Sequence, residues 1–221
     1  MYLPLSQKPE HPGGLTGEDS GISAAEFKEE LTDDLIRTDR TLAILRLLEI
    51  ALPDGQKLSI SEAVERNMMP KKLQPAIEIR VFRTKDRVSH NLAQSKAKFM
   101  NAKSIVEKEL KMVVMGFDDY AVWYVITLAE ELTKLHEKNK YHGNLSPHNA
   151  TLACELVDFE DTKHAKRAEI TQDKINYKQI EDVQRAEIII DRLVMRLDQT
   201  GLYSVSTERL IPIFRRSYKH S

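Results

Sequence analysis

The chain has 221 residues, of which 41% are hydrophobic and 30% are charged, enough to bury one sizeable core and a small second lobe. Its 33 basic residues nearly balance its 34 acidic residues, and the net charge of -1 excludes a general electrostatic attraction to nucleic acid or to an anionic membrane. A single cysteine, Cys154, excludes a disulfide framework.

The first residues combine prolines and glycines and contain no continuous apolar run. Proline and glycine interrupt helices and strands, so we predict a flexible lead-in over residues 1–22. This start also lacks the basic residues and the apolar core of a secretory signal, and no later run is long enough to span a bilayer. We therefore expect a cytoplasmic protein with no membrane segment.

The next part of the chain, residues 23–118, predicts a small mixed lobe. Ser23 and Glu26 have the spacing of a capping box, and apolar residues then recur at helical intervals as far as Pro53. This pattern favours one long helix, or two helices with a break near Thr38.

Three shorter patterns follow within the same lobe. Ser59 and Glu62 have capping-box spacing and predict a short helix through Asn67. Isoleucines and valines alternate with charged residues over 77–88, as in a strand or a hairpin. A further region with helical periodicity covers residues 91–114.

The C-terminal part, residues 119–221, contains the strongest helical signal. Apolar residues over 121–138 recur at i, i+3, i+4 and i+7, which predicts an amphipathic helix. An apolar stretch over 152–157 predicts a strand, and we expect its Cys154 to be a buried small hydrophobic residue. A further helix is predicted to open near Asp182. These elements indicate an α+β fold that is mainly helical.

Two short segments of this C-terminal part carry a motif. Residues 141–149 read YHGNLSPHN, directly after the amphipathic helix, and residues 156–160 read LVDFE after a short apolar run. In order and spacing they resemble the catalytic loop H-R-D-x-x-x-x-N and the metal motif D-F-G of protein kinases. The resemblance covers residues 122–198 and implies a kinase-like C-lobe with a reduced or atypical N-terminal lobe.

The resemblance assigns roles to particular residues. His142 takes the position of the kinase histidine that braces the loop, and Asn144 takes the position of the catalytic aspartate. Asn149 and Asp158 match the asparagine and the aspartate that bind magnesium in kinases. Asp182 resembles the aspartate that begins the long central helix of the kinase C-lobe. ATP and Mg²⁺ are therefore the implied cofactors.

Several departures from the kinase pattern bear on activity. The amide of Asn144 cannot accept a proton as a carboxylate does, so the usual general base is absent. Glu160 stands where glycine is usual. The stretch between Asn149 and Asp158 is short, which implies a tight hairpin.

The phosphate-binding parts of a kinase are not recognisable in the N-terminal half. The sequence contains no G-x-G-x-x-G loop and no equivalent of the lysine-bearing V-A-I-K strand. If the predicted strand took the place of that strand, its cation would be Arg80 or a later residue such as Lys85, with Glu107 or Glu109 as the acidic partner, but none of the four matches a motif. We interpret the two cations as solvated strand charges.

These features predict a pseudokinase-like regulatory or binding module, with ATP and Mg²⁺ as its proposed ligands and without efficient phosphotransfer. An atypical kinase with residual phosphotransferase activity and a helical interaction protein without nucleotide remain alternatives. We expect a protein partner, and the basic residues over 163–167 lie where a kinase activation segment would present them. The sequence contains no specific nucleic-acid signal.

Overall fold

The computed structural model describes residues 16–89, 95–111, 115–159, 171–202 and 206–219. Six helices lie in these residues: α1 (Glu18–Asp33), α2 (Ile60–Glu65), α3 (Ser95–Leu110), α4 (Phe117–Glu137), α5 (Gln172–Gln199) and α6 (Thr207–Lys219). Five short strands accompany them: β1 (Thr16–Gly17), β2 (Arg40–Arg46), β3 (Glu49–Ala51), β4 (Lys57–Ser59) and β5 (Pro75–Val81). The fold class is therefore α+β and mainly helical, as predicted.

The chain divides into two compact units. The first unit comprises residues 1–28 and 40–81, and the second comprises residues 29–39 and 82–221. The division falls inside α1, so the second unit includes a segment that precedes most of the first unit in sequence. This division does not test the domain boundaries expected from the sequence, which stay a prediction. Residues 1–15 of the predicted lead-in lie outside the described residues.

The first unit contains a three-stranded antiparallel sheet in the order β1–β5–β2. The central strand β5 confirms the strand predicted from alternating apolar residues, and Ala76 in it lies opposite Arg46 in β2. The ammonium group of Lys28 lies 2.6 Å from the Glu78 carboxylate of β5. Since Lys28 is almost completely buried, this carboxylate neutralises a charge that would otherwise be costly to remove from water.

A hairpin and a short helix form the rest of the first unit. β3 pairs with β4, with Ile50 opposite Leu58. The turn between them uses Gly55 at a φ of 86°, a left-handed conformation that glycine adopts without strain. α2 carries the capping box that the sequence predicts: the Ser59 hydroxyl accepts from the Glu62 N–H, and the Glu62 carboxylate accepts from the Ser59 N–H.

α4 is a central helix of the second unit. Most of its apolar side chains are buried, and it packs against α5 and α6. The amphipathic helix predicted over 121–138 is therefore confirmed, although it begins earlier, at Phe117. Acidic residues in its first turn and basic residues in its last turn suit the helix dipole.

In the segment over 29–39, Arg37 forms hydrogen bonds to α3 and α4. Its backbone N–H donates to the buried Glu131 carboxylate of α4 at 2.6 Å. Its guanidinium group donates to both carboxylate oxygens of Glu109 in α3, at 2.6 and 3.0 Å, and to the carbonyl oxygen of Ala153 at 2.9 Å. These contacts explain why this short segment belongs to the second unit.

The predicted continuation of a helix from residue 23 to residue 53 is wrong beyond Asp33. α1 ends there, Leu35 has a left-handed φ of 59°, and the Ile36 N–H donates to the Leu31 carbonyl oxygen. The residues of β2 have apolar spacing that fits a helix, but they pair with β5 instead. Here the pairing of two distant segments decides the structure. The spacing of apolar residues within one segment gives no information about such pairing.

The other helices agree with the predictions in kind. α3 occupies residues 95–110, and residues 91–94 and 112–114 of the predicted helix lie outside the described residues. α1 begins at Glu18 rather than Ser23, with two acidic residues in its first turn, and α5 begins at Gln172, well before Asp182. Among the described residues, none of the helices has the length and apolarity needed to cross a membrane.

The predicted strand over 152–157 is replaced by a turn with isolated bridges. Ala150 bridges Leu156, and Leu156 also bridges Thr38. The stretch is buried all the same and lies next to α4: the buried Tyr120 hydroxyl donates to the Leu152 carbonyl oxygen, and the buried Tyr124 hydroxyl donates to that of the preceding Thr151. Cys154 is fully buried, as predicted, and burial raises the pKa of its thiol.

The core of the first unit gives a direct test of its fold. Leu58 is 1% exposed and packs in a cluster with Ile50, Ala63 and Met69. We expect Leu58→Ala to lower the free energy of unfolding by about 3 kcal/mol, because it leaves a cavity in this cluster. Leu48 is 77% exposed, so Leu48→Ala is expected to change it by less than about 0.5 kcal/mol. Urea unfolding followed by circular dichroism measures both; equal losses would contradict this placement of Leu58.

Candidate functional site

The loop over residues 141–149 follows α4 directly. α4 ends where Asn139 takes a left-handed φ of 54° and its N–H donates to the His136 carbonyl oxygen. The chain then turns into the protein, so that His142 is fully buried, whereas Asn144 is exposed. The loop thus has an anchored first part and an accessible middle.

Asp182 of α5 anchors the loop by its backbone. Its carboxylate is fully buried; one oxygen accepts from the His142 N–H at 2.6 Å, and the other accepts from the Gly143 N–H at 3.1 Å. The first oxygen also lies 3.3 Å from Nε2 of His136. A buried carboxylate is tolerated when donors surround it, and these three donors come from α4 and from the loop.

His142 joins the loop to the second motif. Its Nε2–H donates to the Val157 carbonyl oxygen at 2.9 Å, and its ring stacks on Phe159 with 4.4 Å between the centroids. Its Nδ1 is buried and has no hydrogen-bond partner within the described chain. Burial lowers the pKa of His142, so the neutral ring is favoured.

Asn149 connects the end of the loop to its middle and to the second motif. Its side-chain Nδ2 donates to the Asn144 carbonyl oxygen at 2.8 Å. Its own carbonyl oxygen accepts from the N–H of Val157 at 3.0 Å, the residue just before Asp158. The two residues that the sequence predicts as magnesium ligands, Asn149 and Asp158, therefore lie on neighbouring backbone segments.

Asp158 has an unusual backbone conformation. Its φ is 60°, in the left-handed region that residues other than glycine rarely adopt, and aspartate tolerates it better than most. Such conformations persist where the surrounding structure holds them, and they are frequent at functional sites. Here the stacked pair of His142 and Phe159 and the backbone bond to Asn149 hold the segment on both sides.

Sequence reasoning missed part of the network around the loop. Gln179 of α5 donates to the carbonyl oxygens of His136 and Lys140 at the end of α4. Arg185 of α5 donates to the Leu145 carbonyl oxygen at 3.4 Å. Gln179 and Arg185 lie one turn before and one turn after Asp182, so polar residues at intervals of three on the helix face that carries Asp182 are the signal that could have identified them.

The two acidic candidates for a phosphate-binding pair, Glu107 and Glu109, have partners within the second unit. Glu107 lies 2.6 Å from Lys103 of its own helix and also accepts from the Met115 N–H. Glu109 forms its ion pair with Arg37. Lys85 is exposed, and Arg80 is half-buried in β5.

Two parts of the predicted site fall outside the described residues: Glu160 and the basic stretch over 163–167. Within the part of the chain that the structure describes, no group of three or more His, Cys, Asp or Glu side chains is arranged to hold a metal ion. A magnesium site here would therefore rest on Asn149 and Asp158 together with oxygens of a bound ligand.

Comparisons with known proteins identify no relative of this chain. No protein-family model matches the chain, and neither the curated proteins nor the solved structures contain a match. The site must therefore be interpreted from its own geometry.

The buried ring of His142 leads to a prediction about pH. Because burial lowers its pKa in the folded protein, the ring should stay neutral as the pH falls through about 6.5, the value for an exposed histidine. The unfolded chain takes up that proton, so this contribution to stability is present above about pH 6.5 and is lost as the pH falls towards the folded-state pKa.

Proton NMR of the imidazole Cε1–H measures this titration, with the chain in urea as the reference. We expect the His142 midpoint in the folded protein to lie below the midpoint in urea. A midpoint equal to or above the urea value would contradict the buried, neutral ring.

Proposed function

We propose that the chain is a pseudokinase-like regulatory or binding module, and that the loop over 141–149, with Asp158 and Phe159, is its nucleotide and magnesium site. One observation carries this proposal: Asp182 holds the loop by its backbone while His142 of the same loop stacks on Phe159. The resemblance to kinases singles out these same three residues. The contacts of His142 with both of the other residues support a kinase-like origin of the two motifs, because a chance likeness of short segments would not bring these residues together.

The proposed magnesium ligands are the side chains of Asn149 and Asp158. Asn149 uses its amide nitrogen to bond Asn144, so its amide oxygen is the atom that would face a cation. Carboxylate and amide oxygens are ligands that magnesium accepts, and the ion keeps several waters or phosphate oxygens as its other ligands. When bound, Mg²⁺ would bridge the phosphates of ATP and offset their charge.

The same site lacks what efficient phosphotransfer needs. Asn144 is exposed, where a substrate hydroxyl would approach, but its amide cannot act as the general base. The sequence also lacks a glycine loop and an identifiable phosphate-binding lysine. We therefore propose that the module acts by binding nucleotide and a protein partner. A cytoplasmic location remains part of this proposal.

Nucleotide binding is tested with Asp158→Asn, which removes the carboxylate charge. Asparagine tolerates the left-handed backbone at this position, so the fold should be kept. We expect ATP to bind the wild type only with Mg²⁺, and the variant at least about tenfold more weakly, because a charged ligand is replaced by a neutral one. Isothermal titration calorimetry measures both.

Asp198→Asn is the matched control, because Asp198 is an exposed carboxylate on α5. It should bind ATP and Mg²⁺ as the wild type does. If the wild type gives no heat with ATP and Mg²⁺, the nucleotide site is wrong and a helical interaction protein is the better description.

An atypical kinase with residual activity is the second candidate, and the ordered backbone around Asn144 favours it: Asn149 holds the Asn144 carbonyl in place. Phosphoryl transfer depends mainly on positioning and electrostatics. Asn144→Asp would restore a base, which contributes roughly 100-fold or more where the phosphates are correctly placed.

We expect neither the wild type nor Asn144→Asp to transfer phosphate, since the phosphate-positioning parts are missing. Transfer of ³²P from ATP to the chain or to a generic protein substrate measures this, with Asn144→Asp combined with Asp158→Asn as the control. Transfer that appears in the single variant and disappears in the double variant would favour the second candidate.

A further inference from the structure

Tyr218, near the end of α6, is held against α4 by several contacts. Its hydroxyl lies 2.7 Å from Nδ1 of His136, and the two rings meet edge to face with 5.6 Å between centroids. Its carbonyl oxygen accepts from the Thr133 hydroxyl at 2.8 Å, and its ring stacks on Phe214. Both the side chain and the backbone of Tyr218 are therefore fixed next to His136.

The hydrogen bonds around His136 select one tautomer. The Asp182 carboxylate accepts at 3.3 Å from Nε2 of His136, so Nε2 must carry the proton. When the ring is neutral, Nδ1 then has a lone pair and can only accept. The Tyr218 hydroxyl supplies the donor that Nδ1 needs. Burial raises the pKa of Tyr218, with a further contribution from the charge of Asp182, so the hydroxyl keeps its proton.

We infer that Tyr218 is a positioning residue for the loop over 141–149. By donating to Nδ1 of His136, it fixes the tautomer whose Nε2–H donates to Asp182. That carboxylate in turn holds the backbone N–H groups of His142 and Gly143. The last described helix thus controls the geometry of a loop that lies far from it in sequence.

Loss of the hydroxyl would disturb this chain of bonds in a defined order. Nδ1 would lose its donor, so the tautomer with the proton on Nδ1 would become competitive. In that tautomer the lone pair of Nε2 would face the carboxylate of Asp182 and repel it. Asp182 would then retain two donors instead of three, and the loop N–H groups would be held less firmly.

Tyr218 also faces an open groove between α5 and α6. This groove has a volume of about 610 Å³, and its lining includes Ile180, Val183 and Arg215 as well as Tyr218. The positioning residue is therefore half-buried and not sealed in the core. For this reason Tyr218→Phe, which keeps the ring and both ring contacts, is expected to fold.

The variant Tyr218→Phe tests the inference by two readouts that need no nucleotide. Nitrogen-15 correlation spectra of the imidazole should show the Nε2–H tautomer of His136 in the wild type and a mixture in the variant. Hydrogen exchange at the backbone N–H groups of His142 and Gly143 should become about tenfold faster, as expected for the loss of one hydrogen bond to a charged network.

Tyr177→Phe is the matched control, because Tyr177 is an exposed tyrosine of α5, 65% accessible. It should match the wild type in both measurements. A proton on Nδ1 of His136 in the wild type, either in the other tautomer or in the protonated ring, would overturn the inference without any variant. Unchanged tautomer and exchange in a folded Tyr218→Phe would also overturn it.

The functional consequence rests on the proposed nucleotide site, and it is measured separately. Tyr218→Phe should weaken binding of ATP with Mg²⁺ by about tenfold in calorimetry, while Tyr177→Phe should not. If the wild type binds no nucleotide, the proposed function fails, and the imidazole and exchange measurements still decide the role of Tyr218. If nucleotide binds equally to the wild type and to Tyr218→Phe, the positioning role fails while the nucleotide site stands.

Discussion

The fully buried carboxylate of Asp182 is the constraint on which the described structure around the loop depends. A charge without water is stable only if donors replace the water, and breaking such an arrangement costs several kcal/mol. His136 brings a donor from α4, and His142 and Gly143 bring two from the loop. The packing of α4 against α5 and the path of the loop therefore depend on the same buried carboxylate.

The residues that hold the loop are separate from the residue where chemistry would occur. His142, Asp182 and Phe159 are buried, and His142 contacts the other two, Asp182 through its backbone N–H and Phe159 through its ring. Asn144 is exposed, and its carbonyl oxygen, which any residue would supply, makes the contact with Asn149. An exchange of side chain at this position therefore leaves the scaffold intact. Under the proposed function, the loop would keep its binding role with an amide in place of the catalytic aspartate.

Features that depend on neighbours in sequence were predictable here, and features that depend on distant partners were not. The Ser59 capping box and the amphipathic α4 follow from spacing alone. The apolar residues of β2 are spaced as in a helix, and its pairing with β5 leaves no trace in that spacing. In the site, the motifs identified His142, but nothing in the sequence links it to Tyr218, because that connection passes through His136 and Asp182.

The order of the two units along the chain has a practical consequence. A fragment that starts at residue 82 would lack residues 29–39 of the second unit, and with them the Arg37 N–H that donates to one oxygen of the buried Glu131 carboxylate. Arg40 and Val81, at the two ends of the stretch over 40–81, are paired residues of one antiparallel ladder and so lie about 5 Å apart. A variant in which a short linker joins Asp39 to Phe82 would therefore lack the stretch over 40–81 and would contain the second unit as a continuous polypeptide.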